Sequence, residues 1–131
     1  MTRVQLALNV SDIEAAVDFY RRLFQTEAAK RRPGYANFAI ASPPLKLVLI
    51  ENTELAGTVN HLGVEVDSSA EVETETARLQ RAGLTTRTED GVTCCHAVQD
   101  KVWVADPDGA PWEIYKVLAD APRPAAGCGG G

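Results

Sequence analysis

Apolar and polar positions alternate at two distinct periods along the chain. Val4 to Val10 (VQLALNV) alternates in part and is rich in branched residues, which predicts a strand. Ser11 and Asp12 then offer an N-cap, with Glu14 in the first turn. Ile13, Ala16, Val17, Tyr20, Leu23 and Phe24 follow at helical spacing. They predict an amphipathic helix of about 13 residues, a normal length. Lys30 to Gly34 reads as a basic strand end and a turn. Tyr35 to Ala41 alternates again, Pro43-Pro44 breaks the chain, and Leu45 to Glu51 predicts another strand. Asn52 to Thr58 is a polar, glycine-containing connection.

The pattern then starts over. Asn60 to Val66 predicts a strand, and Asp67-Ser68-Ser69 caps a helix with a weaker stripe of Val72, Thr76 and Leu79. Gly83 stands where a helix-terminating glycine belongs. Leu84 to Glu89 predicts a strand, Asp90-Gly91 a turn, and Lys101 to Ala105 a strand. Asp106 to Gly109 predicts a turn and Pro111 to Val117 the last strand. Gln5 to Val10 aligns with His61 to Val66 at an offset of 56 residues. A repeat of that size is too small to bury a full core alone. Two paired repeats predict an α+β domain over residues 1–118, with modules of about 3–57 and 58–118 whose sheet curves around a shared cavity. Residues 119–131 are rich in Ala, Pro and Gly and are expected to form a flexible tail.

Composition narrows the function. Of 131 residues, 45% are hydrophobic and 24% charged, as in an ordinary soluble protein. Thirteen Lys and Arg against 18 Asp and Glu give a net charge of −5, which argues against nucleic acid as the main partner. No apolar run approaches the ~20 residues of a membrane span, and the N-terminus lacks the apolar segment of a signal peptide. A cytoplasmic protein with no membrane partner is therefore expected. Three cysteines make no disulfide framework, and two of them, Cys94 and Cys95, are adjacent. In a reducing compartment both are expected to be thiols.

Three signatures carry a resemblance over residues 3 to about 118: Gln5-x-x-Leu8-x-Val10-Ser11-Asp12 leading into a helix with Phe19-Tyr20; Asn60-His61-Leu62; and Asp106-Pro107-Asp108-Gly109-x-x-Trp112-Glu113-Ile114-Tyr115. The chain resembles the vicinal oxygen chelate superfamily of glyoxalases, extradiol dioxygenases, and fosfomycin and bleomycin resistance proteins. The resemblance implies two βαβββ modules forming a cup with a divalent metal at its base. His61 matches the metal ligand that opens the second module, Glu113 the carboxylate on the final strand, and Gln5 the first-module ligand, often a histidine. An imidazole, an amide oxygen and a carboxylate make an N/O site with open positions, as in non-haem Fe(II) oxygenases. Gln5 departs from the two-histidine pattern and leaves Zn, Ni or Co open beside Fe(II). The glyoxalase I type adds a carboxylate from the first module. Sliding Leu45-Lys46-Leu47 onto Trp112-Glu113-Ile114 puts Lys46 there, which disfavours that chemistry. Outside the family pattern, a histidine in a strand is more often structural than a ligand, and Glu113 reads equally well as the solvent-facing member of an edge strand.

Cys94 and Cys95 precede the strand 101–105 in what reads as a loop or irregular strand. One reading has a cysteine packed inward as a small hydrophobe. The other has two thiolates gripping a soft centre. Trivalent arsenic wants three donors, and a monomethylated arsenic(III) already spends one on carbon, leaving two positions for two thiolates. Inorganic arsenite wants a third sulfur, which Cys128 supplies only if the tail folds back. Within the superfamily, Thr93-Cys94-Cys95-x-Ala97-x-Gln99-Asp100-Lys101-Val102-Trp103, with Tyr35 to Ile40, Leu45 to Leu49 and Asn60 to Glu65, resembles the ArsI/CadI group of iron-dependent carbon–arsenic lyases and cadmium-induced proteins. That resemblance implies O2-dependent cleavage of methylarsenite, or of aromatic trivalent arsenicals, to arsenite. Cys94 and Cys95 would bind substrate and Gln5, His61 and Glu113 the Fe(II). Lys101 would act as a catalytic residue that lowers the thiol pKa or steadies an oxygen anion, unless it is a solvated lysine at a strand start. His96 is either a base or third donor, or an exposed loop residue. Two other functions stay open: a cadmium- or arsenic-binding stress protein without turnover, and a glyoxalase-like detoxification enzyme. A homodimer is compatible with the family.

Overall fold

A computed structural model describes residues 2–94 and 96–120, with Cys94 described by its backbone. The chain divides into two compact units, Arg3–Asn60 and the segment that begins at His61. In the first unit the order is β1 (Arg3–Val10), α1 (Ile13–Phe24), β2 (Lys30–Arg32), β3 (Tyr35–Ile40) and β4 (Leu45–Glu51). β1 pairs parallel with β4, while β4–β3 and β3–β2 are antiparallel. The parallel pair follows from the helix, which carries the chain back across one face of the sheet.

That face holds the unit's core. Leu6 and Leu8 of β1, Ala36, Phe38 and Ile40 of β3, and Leu47 and Leu49 of β4 meet Ile13, Ala16, Val17, Tyr20 and Phe24 of α1. Leu23, expected on this stripe, is 55% exposed. Asp12 caps the helix: its Oδ1 accepts from the amides of Glu14 and Ala15 at 3.0 and 3.2 Å. Gln5, Ala7 and Asn9 point to the opposite face, as strand alternation requires, and are also buried.

The second unit repeats the plan: β5 (Val59–Glu65), α2 (Ser69–Arg81), β6 (Arg87–Cys94), β7 (Ala97–Ala105) and β8 (Pro111–Asp120). β5 pairs parallel with β8, and β8–β7 and β7–β6 are antiparallel. Ser68 caps α2, accepting from the Glu71 amide at 3.2 Å. Val72 and Leu79 of α2 pack on Val64, Val66, Val102, Val104 and Ile114. Both units are thus βαβββ modules, and the α+β class expected from the repeat is the observed one. Neither described helix is long and apolar enough to cross a membrane.

Three elements differ from the sequence expectation. β6 begins at Arg87 and runs through Asp90-Gly91, which the sequence presents as a turn. The register against β7 shifts between Glu89 and Val92, so the two residues form an irregularity inside the strand. Gly91 sits there at a φ of 61°, a conformation glycine adopts without steric penalty. β7 begins at Ala97, four residues before the expected start, which places Lys101 mid-strand. β8 extends through Leu118 and Ala119 to Asp120. Cys95, and Cys128 with the rest of 121–131, lie outside the described residues.

Candidate metal and substrate site

The second unit's sheet has two unlike faces. Even positions of β7, including Val102 and Val104, turn toward α2 and the apolar core. Odd positions Gln99, Lys101 and Trp103 turn the other way and are 5%, 1% and 5% exposed. The register places Lys101 opposite Tyr115 and Trp103 opposite Glu113 on β8. On β5 the alternation that sends Val64 to the core leaves His61, Gly63 and Glu65 on the polar face. Gly63 registers with Glu113. One face therefore gathers an imidazole, a carboxylate, an ammonium and two aromatic rings, almost wholly shielded from water.

Their geometry is specific. Glu113 Oε2 accepts from Lys101 Nζ at 3.0 Å. Its other oxygen, Oε1, lies 3.9 Å from His61 Nε2. That is too long for a hydrogen bond. It lies within the ~4.2 Å that separates two donors bound at ~2.1 Å to one ion. The carboxylate is thus divided: one oxygen is oriented by a cation, and the second shares a space with an imidazole nitrogen. Lys101 Nζ also lies 5.2 Å from the Trp103 ring centroid and 6.0 Å from that of Tyr115. A carboxylate and two ring faces thus surround the Lys101 side chain in a place where water does not reach. The Tyr115 hydroxyl makes a long contact of 3.3 Å with Glu65 Oε1.

The structure brings His61, Glu113 and Lys101 together. It overturns the solvated alternative for Glu113 and Lys101, which are 2% and 1% exposed; His61 is buried at 3%, as either a ligand or a structural histidine would be. His96 is also buried, at 5%, rather than an exposed loop residue. It takes a φ of 71°, a left-handed conformation in which histidine is over-represented. Among the described residues no three His, Cys, Asp or Glu side chains converge as a metal cluster, and this unit supplies two such donors. Gln5 belongs to the first unit, where it is 3% exposed and registers with Lys46. Cys94 closes β6, registered against Ala97.

The register gives a first-module equivalent of Glu113 different from that of the sequence alignment. Ala7 is the repeat equivalent of Gly63. Gly63 registers with Glu113, whereas Ala7 registers with Val48. Val48, buried at 3%, therefore occupies the position that corresponds to Glu113, and Lys46 lies two residues away.

The model of the Glyoxalase/Bleomycin resistance protein/Dioxygenase superfamily matches residues 2–114. The chain belongs to this superfamily. Among its relatives, cadmium-induced protein CadI of Mycobacterium tuberculosis (strain ATCC 25618 / H37Rv) is 67% identical over 121 residues, which cover 92% of this chain and 80% of CadI. A trivalent organoarsenical cleaving enzyme of Thermomonospora curvata is 60% identical over 122 residues, 92% of this chain and 81% of that protein. The 2,3-dioxygenase LapB of Pseudomonas sp. KL28 shares the superfamily fold with a TM-score of 0.65 at 22% identity, over 91% of this chain and 42% of LapB. A Mn(II)-bound glyoxalase from Novosphingobium aromaticivorans gives 0.63 at 20%, over 97% of this chain and 44% of that one.

Local pattern hid three acidic side chains together with their partners. Glu89 accepts from Trp103 Nε1 at 2.7 Å. Asp100 accepts from the Gly91 amide at 2.7 Å and from Ser69 Oγ at 2.6 Å. Glu65 meets Tyr115. Each partner lies far off in sequence, and only the strand register, combined with alternation, would have signalled them.

Proposed function

We propose that this protein is an Fe(II)- and O2-dependent carbon–arsenic lyase that converts methylarsenite to arsenite, with CH3As(OH)2 and O2 giving As(OH)3 and CH2O. The relatives' names and the fold support an enzyme of organoarsenical chemistry. The observation that carries the reading further is the divided Glu113 carboxylate, with Lys101 on one oxygen and His61 Nε2 facing the other. A buried carboxylate oriented by a cation on one oxygen, with an imidazole nitrogen near the other, is how a metal-ligating carboxylate is commonly held. The donor set fits a divalent first-row ion: His61 and Glu113 would hold it, with Gln5 as third ligand on the strength of the family pattern. When bound, such an ion supplies O2 activation.

The chain's own residues do the rest. Cys94 and Cys95 bind the substrate: two S–H bonds and two As–OH bonds break, two As–S bonds form and two waters leave. Arsenic is then fixed with its methyl group as the remaining substituent, which makes cleavage an effectively intramolecular event. Lys101 carries a positive charge into a water-poor site, where it orients Glu113 and steadies developing negative charge on oxygen.

The test is anaerobic reconstitution with Fe(II), followed by air and methylarsenite. Arsenite is expected only when both Fe(II) and O2 are present. Cys94→Ser should abolish both arsenical capture and turnover. Glu113→Ala should abolish turnover and leave stoichiometric capture intact. Full turnover by Glu113→Ala would show the metal site to be misassigned. Stoichiometric binding without turnover under all conditions would favour the stress-protein alternative suggested by the CadI name.

A further inference from the structure

Trp103 has no assigned part in this chemistry, yet it packs against two of the groups that do, His61 and Lys101. Its side chain is 5% exposed. The indole meets the His61 imidazole edge-on, with centroids 5.6 Å apart and planes at 70°. Lys101 Nζ stands 5.2 Å over the same ring. The indole N–H, the only donor a tryptophan owns, is committed to Glu89 Oε1 at 2.7 Å. Glu89 is in turn fixed by Arg87, whose Nη1 lies 3.3 Å from its second oxygen and whose guanidinium lies 5.7 Å from the Trp103 centroid. The ring therefore cannot turn about its own axis without giving up its one hydrogen bond.

Glu89 lies on β6, five residues before Cys94. Trp103 thus links the strand that leads to the thiols with the imidazole and ammonium of the metal face. We propose that Trp103, oriented by Glu89, is a positioning residue that sets the plane of His61 and the place of Lys101 in advance of divalent-cation binding. Edge-to-face contact has a preferred geometry, so a fixed indole leaves His61 with one favoured ring plane. Preorganised ligands lose less freedom when the cation arrives. Outer partners of metal-ligating side chains typically change affinity by ~10–100-fold when removed.

The inference rests on the metal reading above, and cobalt separates the two. Co(II) is titrated into the full-length apoprotein, followed by its visible absorption and by quenching of tryptophan fluorescence. Urea unfolding of each apoprotein is measured in parallel. Trp103→Phe keeps an aromatic ring beside His61 and loses the N–H. Glu89→Ala keeps the indole and loses the acceptor, at a side chain that is one-third exposed and tolerant of truncation. Glu89→Gln keeps an acceptor oxygen. Both Trp103→Phe and Glu89→Ala should weaken Co(II) binding about 10-fold or more. Glu89→Gln should recover to within about threefold, whatever the order of the unfolding midpoints. Wild-type Co(II) affinity in Glu89→Ala and Trp103→Phe overturns the positioning role and leaves the metal site standing. Loss in Glu89→Gln as large as in Glu89→Ala also overturns it, because the hydrogen bond is then not the cause. A wild-type protein that binds no Co(II) overturns the metal reading, and the positioning role with it.

Discussion

Replacing Lys101 by methionine tests the central electrostatic feature of the site. The substitution keeps most of the side-chain volume and removes the charge. In the wild type, Lys101 is 1% exposed and its Nζ lies 3.0 Å from Glu113 Oε2. Glu113 is 2% exposed. Methionine leaves that carboxylate buried without its cation. Breaking a buried pair from one side costs about 3–5 kcal/mol. For a chain of this size, a loss of 1 kcal/mol lowers Tm by roughly 3–5 °C, so a fall of about 10–20 °C is expected. Denaturant unfolding and thermal melts of the apoprotein measure it. The double variant Lys101→Met, Glu113→Gln should regain most of the loss, because a neutral amide needs no counter-charge. A divalent cation should also stabilise Lys101→Met more than it stabilises wild type, since it replaces the missing positive charge. A single variant within about 1 kcal/mol of wild type, together with no recovery in the double variant, would refute the argument. Glu113 would then be held by something other than Lys101.

Two smaller predictions address other parts of the fold. Asp100→Ala removes the acceptor shared by the Gly91 amide and Ser69 Oγ; both lie near the surface, so water limits the loss to about 1–2 kcal/mol in denaturant unfolding. Amide exchange at Gly91 should quicken at the same time. The Arg21 guanidinium, bonded to Asp18, holds that carboxyl below its ordinary value, with Arg22 adding attraction. A depressed carboxylate contributes stability that is present above its unfolded-state pKa and lost as pH falls through the lower folded-state value. Because Asp18 lies on the surface the effect is small, and salt should erase it. NMR titration of Asp18 in Arg21→Ala should show its pKa moving back up.

Much of the fold was written in local pattern. The strand–helix repeat, the Asp12 cap, Gly83 and the last strand follow from alternation, helical spacing and capping chemistry. β6 was partly misread because Asp90-Gly91 looks like a turn in any sequence window. Its identity as a strand irregularity depends on Asp100, nine residues on, which takes up the Gly91 amide. Lys101 was ambiguous for a different reason. Lysine is almost never fully buried unless it is paired, and its partner is twelve residues away on the neighbouring strand. His61 and Glu113 were legible through the family signatures. Their burial and their mutual approach were not, because these depend on the register of β5 and β8.

The two modules repeat in topology and diverge in chemistry, and the divergence limits what the site can do. On corresponding positions the first module carries Gln5, Ala7 and Val48, and the second His61, Gly63 and Glu113. Within the second module the Lys101 ammonium offsets the Glu113 carboxylate that it contacts. A divalent cation held, as proposed, by His61 and Glu113 would therefore keep most of its charge, whereas a second ligating carboxylate would neutralise more of it. In a face shielded from water that residual charge acts at low effective dielectric, so it draws anionic and strongly dipolar partners. A second ligating carboxylate would weaken that pull. Val48→Glu, at the first module's equivalent of Glu113, tests whether the proposed site draws on both modules. Tighter divalent-cation binding, with less of any turnover that depends on an electron-poor metal, is the outcome expected of a two-module site; unchanged cation affinity would confine the site to the second module.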